Sequence, residues 1–118
     1  MMRPDLEVAV YLCREPVDMR KSIDGLSLLV QEAMELNPFE EAVFVFCNRQ
    51  RDKVKILAWE RNGFVVWYKR LEQERFKWPD ASTQDVMTLS GQQLNWLLDG
   101  YDIARMKPHK SLFFESVG

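Results

Sequence analysis

Asn62-Gly63 separates two runs of alternating residues, Lys53 to Glu60 and Phe64 to Arg70. Asn-Gly is the strongest short hairpin signal, because a tight type I′ turn needs positive φ at both central residues. The pair therefore commits the segment from Lys53 to Arg70 to one antiparallel hairpin. With Asn62 and Gly63 at the turn centre, Arg61 faces Phe64, Trp59 opposes Val66, Leu57 opposes Tyr68 and Lys55 opposes Arg70. One face then carries Lys53, Lys55, Leu57, Trp59 and Arg61 with Phe64, Val66, Tyr68 and Arg70. The other carries Val54, Ile56 and Ala58 with Val65 and Trp67, and is the better core face.

The flanking sequence supplies the partners such a hairpin needs. EVAVYLC, from Glu7 to Cys13, alternates around Val8, Val10 and Leu12 and reads as a strand. After Arg14-Glu15-Pro16 the spacing predicts a helix capped by Asp18, with Met19, Ile23, Leu26, Val30 and Ala33 as its apolar stripe. Asn37-Pro38 should end it, since the residue before proline is pushed out of helical geometry. Ala42 to Asn48 is a further strand, RFKWP at Arg75 to Pro79 is extended, and Val86 to Leu89 is a short edge strand. Ser90 and Gln93 make a capping box, Leu89 staples onto Leu94, and Gly100 closes the second helix. The expected fold is α+β: a small antiparallel sheet, in the order β-α-β-β-β-α, packed against two helices. Residues 1–102 form the single domain, and 103–118 a C-terminal tail, partly ordered or docking a partner through Leu112, Phe113 and Phe114.

The chain has 118 residues, a length that buries roughly two-thirds of its unfolded surface without metal or disulfide staples. Cys13 and Cys47 stand far apart in apolar runs and read as small buried residues. With His109 they are too few for a zinc site, so no metal and no cofactor is expected. MMRPDLEVAV lacks the apolar core of a signal peptide, and no run is long enough to cross a bilayer. A soluble, cytoplasmic protein with no membrane partner is the expectation.

Charge is distributed unevenly. The net is −2, yet residues 48–78 hold nine Lys or Arg against four acids. Residues 1–47 hold four against nine, and 79–118 three against five. Basic residues interleaved with aromatics are what a nucleic-acid surface uses: cations for phosphates, rings for bases. Arg49, Arg51, Lys53, Lys55, Lys69 and Arg70 are the candidate phosphate contacts, with Trp59 and Tyr68 as stacking or packing groups. The competing reading is an edge hairpin kept soluble by Lys and Arg, with its aromatics under a helix.

PVDMRKSIDGL, from Pro16 to Leu26, raises a second question. Arg20 and Lys21 fall in the first turn of the expected helix, where the dipole favours acids. Either Asp18 or an Arg20–Asp24 pair absorbs them, or they form an anion site with the helix N-terminus. Asp18 and Asp24 point to different sides of a helix and make a poor metal pair. His109, alone in a basic tail, is a poor general base. Neither a glycine-rich phosphate loop nor a nucleophile motif is present, so no catalytic residue is assigned.

Four segments in order, DMRKSIDGL, FVFCNRQRDKVKILAWERNGF, WYKRLEQERFKWP and LSGQQLNWLLDGYDI, resemble the accessory protein of bacterial insertion sequences of the IS66 type. That family is often called TnpB and is distinct from the RNA-guided nuclease sharing the name. The likeness runs from about Val10 to about Lys110. Ser22-Ile23 stand where the family usually has Gly-Phe, keeping a large apolar residue at position 23. The resemblance implies a non-catalytic role in transposition beside a separate DDE-type transposase. With the basic middle third, it implies element-end DNA and that transposase as partners; a homo-oligomer is expected from the residues themselves, through the apolar tail at Leu112, Phe113 and Phe114. A protein–protein module without DNA contact is the alternative.

Overall fold

A computed structural model describes residues 7–80 and 85–106. The expected tail contacts at Leu112, Phe113 and Phe114, and His109, lie outside the described residues. Strands β1 (Ala9–Cys13), β2 (Ala42–Cys47), β3 (Lys53–Glu60), β4 (Gly63–Arg70) and β5 (Val86–Leu89) form one sheet in the order β4-β3-β2-β1-β5. Helix α1 (Ile23–Glu32) joins β1 to β2, which pair in parallel, and α2 (Gly91–Leu98) follows β5. Every other pairing is antiparallel. The α+β class and the element order are those expected.

One helix covers each face. Leu26, Val30 and Met34 pack on Cys13, Phe44, Phe46 and Leu57. Leu94, Leu97 and Leu98, with Phe76, Trp78 and Ile103, pack on Val10, Leu12, Val43, Val45, Val54 and Ile56. Central β2 therefore lies in both cores. Its six residues, AVFVFC, are all buried, which explains an unbroken apolar run where one-sided burial would give alternation.

The hairpin register differs from the expected one by two residues. Glu60 pairs Gly63, so the loop is Arg61-Asn62, with Arg61 at φ 58° and Gly63 already in the strand. Lys55 opposes Tyr68, and it is Lys53 that opposes Arg70. A shift of two preserves every side chain's face, because the strand period is two. Packing explains the choice: Trp59 now opposes Phe64 edge-on at 5.0 Å, and Phe39 closes on both rings. The Lys55 ammonium also gains the Tyr68 ring, 5.7 Å from its centroid, in place of the guanidinium of Arg70.

Helix α1 also starts later and ends sooner than expected. Ser22 occupies the cap position, so Asp18, Arg20 and Lys21 precede the helix rather than cap or begin it. Ala33 is the C-cap, and Glu35 at φ 57° turns the chain away before Asn37-Pro38. The buried stripe is Leu26, Val30 and Met34, while Ile23 and Ala33 are exposed. Gly25 faces the stem of Lys21 rather than the sheet: a Cβ there would meet Lys21 carbons at 3.2 Å. Helix α2 has the termini expected of it. Ser90 Oγ accepts from the Gln93 amide, and Gln93 Oε1 accepts from the Ser90 amide. At its end Gly100 takes φ 100°, with the Gly100 and Tyr101 amides donating to the Leu97 and Trp96 carbonyls as in a Schellman motif.

Candidate nucleic-acid interface

Parallel β1 and β2 release their chains at the same end of the sheet, and the two departing loops face each other there. Pro16 to Arg20 leave β1, and Asn48 to Gln50 leave β2. The Val17 amide ties the loops by donating to the Cys47 carbonyl at 2.8 Å. Between them, with Lys53 from β3 and Tyr68 from β4, lies a cleft of about 530 Å³. Ligand crevices in open α/β sheets form at this kind of position, outside the carboxyl ends of neighbouring strands.

Asn48 builds the second wall. It is the buried polar residue of the described core, at 6% exposure, and its amide is fully used. Oδ1 accepts from the Asp52 and Lys53 amides at 3.1 and 3.0 Å, while Nδ2 donates to Asp52 Oδ1 at 2.6 Å and Gln50 Oε1 at 3.2 Å. The Asn48 hydrogen bond holds the Asp52 carboxyl below its ordinary range. Arg51 takes φ 66° within this turn. Asn48 is not among the candidate residues read from the sequence; the signal for its role is an asparagine four residues before an aspartate in a cation-rich turn, where side chain replaces backbone as acceptor.

The candidate cations separate into distinct groups. Arg49 lines the cleft, is exposed, and has no hydrogen bond or ion pair among the described residues. Lys53 lines it too, with Asp52 at 3.7 Å. Arg20 lines the opposite wall, where Nε and Nη2 grip Asp18 at 2.7–3.1 Å and the Arg20 amide donates to the same carboxylate. This pair, rather than Arg20–Asp24, absorbs the charge. Arg20 hydrogen bonding brings the Asp18 carboxyl down to about 2. Lys21 is exposed with its stem on Gly25, outside the cleft lining.

Others are held by the protein itself. Lys55 Nζ donates to the Met19 and Lys21 carbonyls. Lys69 Nζ donates to the Leu98 carbonyl at the end of α2, on the opposite face. Arg51 turns away from the cleft and donates to the Trp78 carbonyl at 2.8 Å. There it borders a second hollow of about 440 Å³ with Arg75 and Lys77. Arg70 pairs with Glu72 at 2.9 Å. Trp59 is at the far end of the hairpin among Phe39 and Phe64, while Tyr68 is in the cleft wall.

Among the described residues, no three His, Cys, Asp or Glu converge as a metal would require. No helix among them is long and apolar enough to cross a membrane.

Comparison with known proteins gives consistent matches. The family model described as "IS66 Orf2 like protein" matches residues 8–108. The uncharacterised protein y4hO of Sinorhizobium fredii is 34% identical over 102 residues, covering 86% of this chain and 88% of that one. The uncharacterised y4jC of the same organism is 27% identical over 107 residues, 91% of each chain. No solved structure matches the chain.

Proposed function

Because this chain belongs to the IS66 Orf2-like family, we propose that it is a non-catalytic accessory protein of insertion-sequence transposition and grips nucleic-acid backbone in the cleft beyond β1 and β2. The family relationship supports the transposition role. The strand chemistry falls to a separate DDE-type transposase, with the accessory protein acting on element-end DNA beside it.

One observation carries the nucleic-acid reading: two loops far apart in sequence, the Asp18-Arg20 turn and the Asn48-Asp52 turn, present Arg20, Arg49 and Lys53 around one cleft. Arg49 has its full donor set available, and Arg20 keeps an exposed guanidinium despite Asp18. A phosphodiester suits this arrangement, since guanidinium groups bind it through paired donors. Tyr68 adds a ring in the wall of the cleft for a base or sugar.

The test is fluorescence anisotropy with labelled element-end duplex, unrelated duplex and single strand, from low to moderate salt. Affinity should fall steeply with salt, and Arg49→Ala and Lys53→Ala should each flatten the log–log slope by about 0.7–0.9. Undetectable binding to all three probes at low salt sinks the proposal. A transposase pull-down that succeeds without DNA would then favour the protein–protein module.

A further inference from the structure

The two edges of the sheet are built differently. Strand β5 is short, four residues, which is one way proteins blunt an edge. Strand β4 has eight, GFVVWYKR, and its first six carry no charge. Among the described residues, Gly63–Arg70 make no backbone–backbone hydrogen bond beyond the β3 ladder. Among the described residues, the outward amides and carbonyls of β4 are therefore open for pairing.

The cations of β4 do not guard that edge. Lys69 is drawn across to the Leu98 carbonyl, and Arg70 is paired with Glu72. Meanwhile Val65 and Tyr68 are 47% and 43% exposed.

We infer that β4 pairs antiparallel with β4 of a second copy of this chain, continuing the two sheets into one across a twofold axis at Val66. Such an axis runs perpendicular to the sheet, so facing residues must share a face and their numbers must sum to an even value. Centring on Val66 places Val66 against the partner's Val66, Val65 against the partner's Trp67 and Phe64 against the partner's Tyr68. Aromatic–aromatic and aromatic–β-branched pairs are the favourable cross-strand combinations. The same register sets Lys69 and Arg70 opposite Gly63 and Asn62, so no like charges meet. The partner's Tyr68 also extends the cluster in which Phe64 already touches Phe39 and Trp59. The pattern of β4 is thus complementary to itself.

The inference does not rest on nucleic-acid binding, and its test contains no nucleic acid. Sedimentation equilibrium of the full chain, from low to high micromolar, should show reversible dimerisation. Val65→Lys, at a half-exposed site, should weaken it at least tenfold while leaving the thermal unfolding midpoint of the monomer nearly unchanged. Val66→Cys should give a disulfide-linked dimer under mild oxidation and Val65→Cys far less, because only position 66 faces itself; the buried native thiols do not compete. On the unmodified chain, amide exchange across Phe64–Tyr68 should slow as concentration rises. A strict monomer, a dimer indifferent to Val65→Lys, or concentration-independent protection of β4 would each overturn the proposal.

Discussion

The Lys55 ammonium sits 2.8 Å from the Met19 carbonyl, so a cation of the β3–β4 hairpin is spent holding the loop that enters α1. The Lys21 carbonyl accepts from the same ammonium at 2.9 Å. Net stabilisation by a hydrogen bond to a charged donor is about 1.5–3 kcal/mol, toward the low end where solvent competes. Lys55→Met keeps the stem over Tyr68 and removes the charge. It should cost about 1–2 kcal/mol in urea unfolding. In the anisotropy assay it should leave the salt slope unchanged, whereas Arg49→Met flattens it. A flattened slope for Lys55→Met would mean the ammonium leaves its carbonyls to meet phosphate.

Two tryptophans test the same rule from opposite sides. Trp78 is buried, and its indole donates to the Cys13 carbonyl at 3.1 Å, tying the RFKWP segment to the end of β1. The Trp67 indole nitrogen is also shut from solvent yet has no partner among the described residues. Trp78→Phe removes a buried hydrogen bond as well as ring volume and should cost about 1–3 kcal/mol, while Trp67→Phe removes an unsatisfied donor and should cost less than about 1 kcal/mol. Paired urea titrations rank them; equal losses would show that ring volume, not the donor, decides both.

Asp18 predicts a pH effect of definite sign. Its carboxyl is held at about 2, below the ordinary 3.8, chiefly by the Arg20 side chain. A depressed folded value stabilises the fold above the unfolded value, and that contribution is lost as pH falls from about 3.8 to about 2. The Asp18 carboxyl resonance should titrate near 2 in NMR and move up in Arg20→Gln. An unmoved midpoint would assign the depression to the backbone amide instead.

The sequence announced what is local and left open what is long-range. Ser90, Gln93 and Gly100 marked α2 because capping is chemistry within a few residues. Alternation marked β3 and β4, and the face assignment survived even though the register slipped, since a two-residue slip changes neighbours and not faces. The register itself depended on Phe39, which lies outside the hairpin and joins Trp59 and Phe64 only in the folded chain. The anion question at Arg20 was likewise half legible. Its carboxylate partner is two residues away, but the opposing Arg49 arrives only because β1 and β2 run parallel. Lys55 and Lys69 show the remaining limit: nothing local distinguishes a solvated lysine from one that reaches a carbonyl more than twenty residues away.

Cys47 supplies a prediction about reactivity. The thiol is 1% exposed, and burial pushes it up to about 12, while Cys13 is raised by the same cause. A thiolate is the reactive species, so at pH 8 the native chain should leave both cysteines unlabelled by a maleimide. Labelling should reach two per chain only in denaturant, with native-state rates tracking global opening. The linkage runs opposite to that of Asp18. A folded value raised above the unfolded one gives stability that is full below about 9 and falls as pH rises toward 12. Cys47→Ala should start less stable by about 1–2 kcal/mol from the lost buried sulfur, then decline less than the parent chain across that interval. Parallel declines in urea midpoint would show that this thiol does not set the alkaline limit.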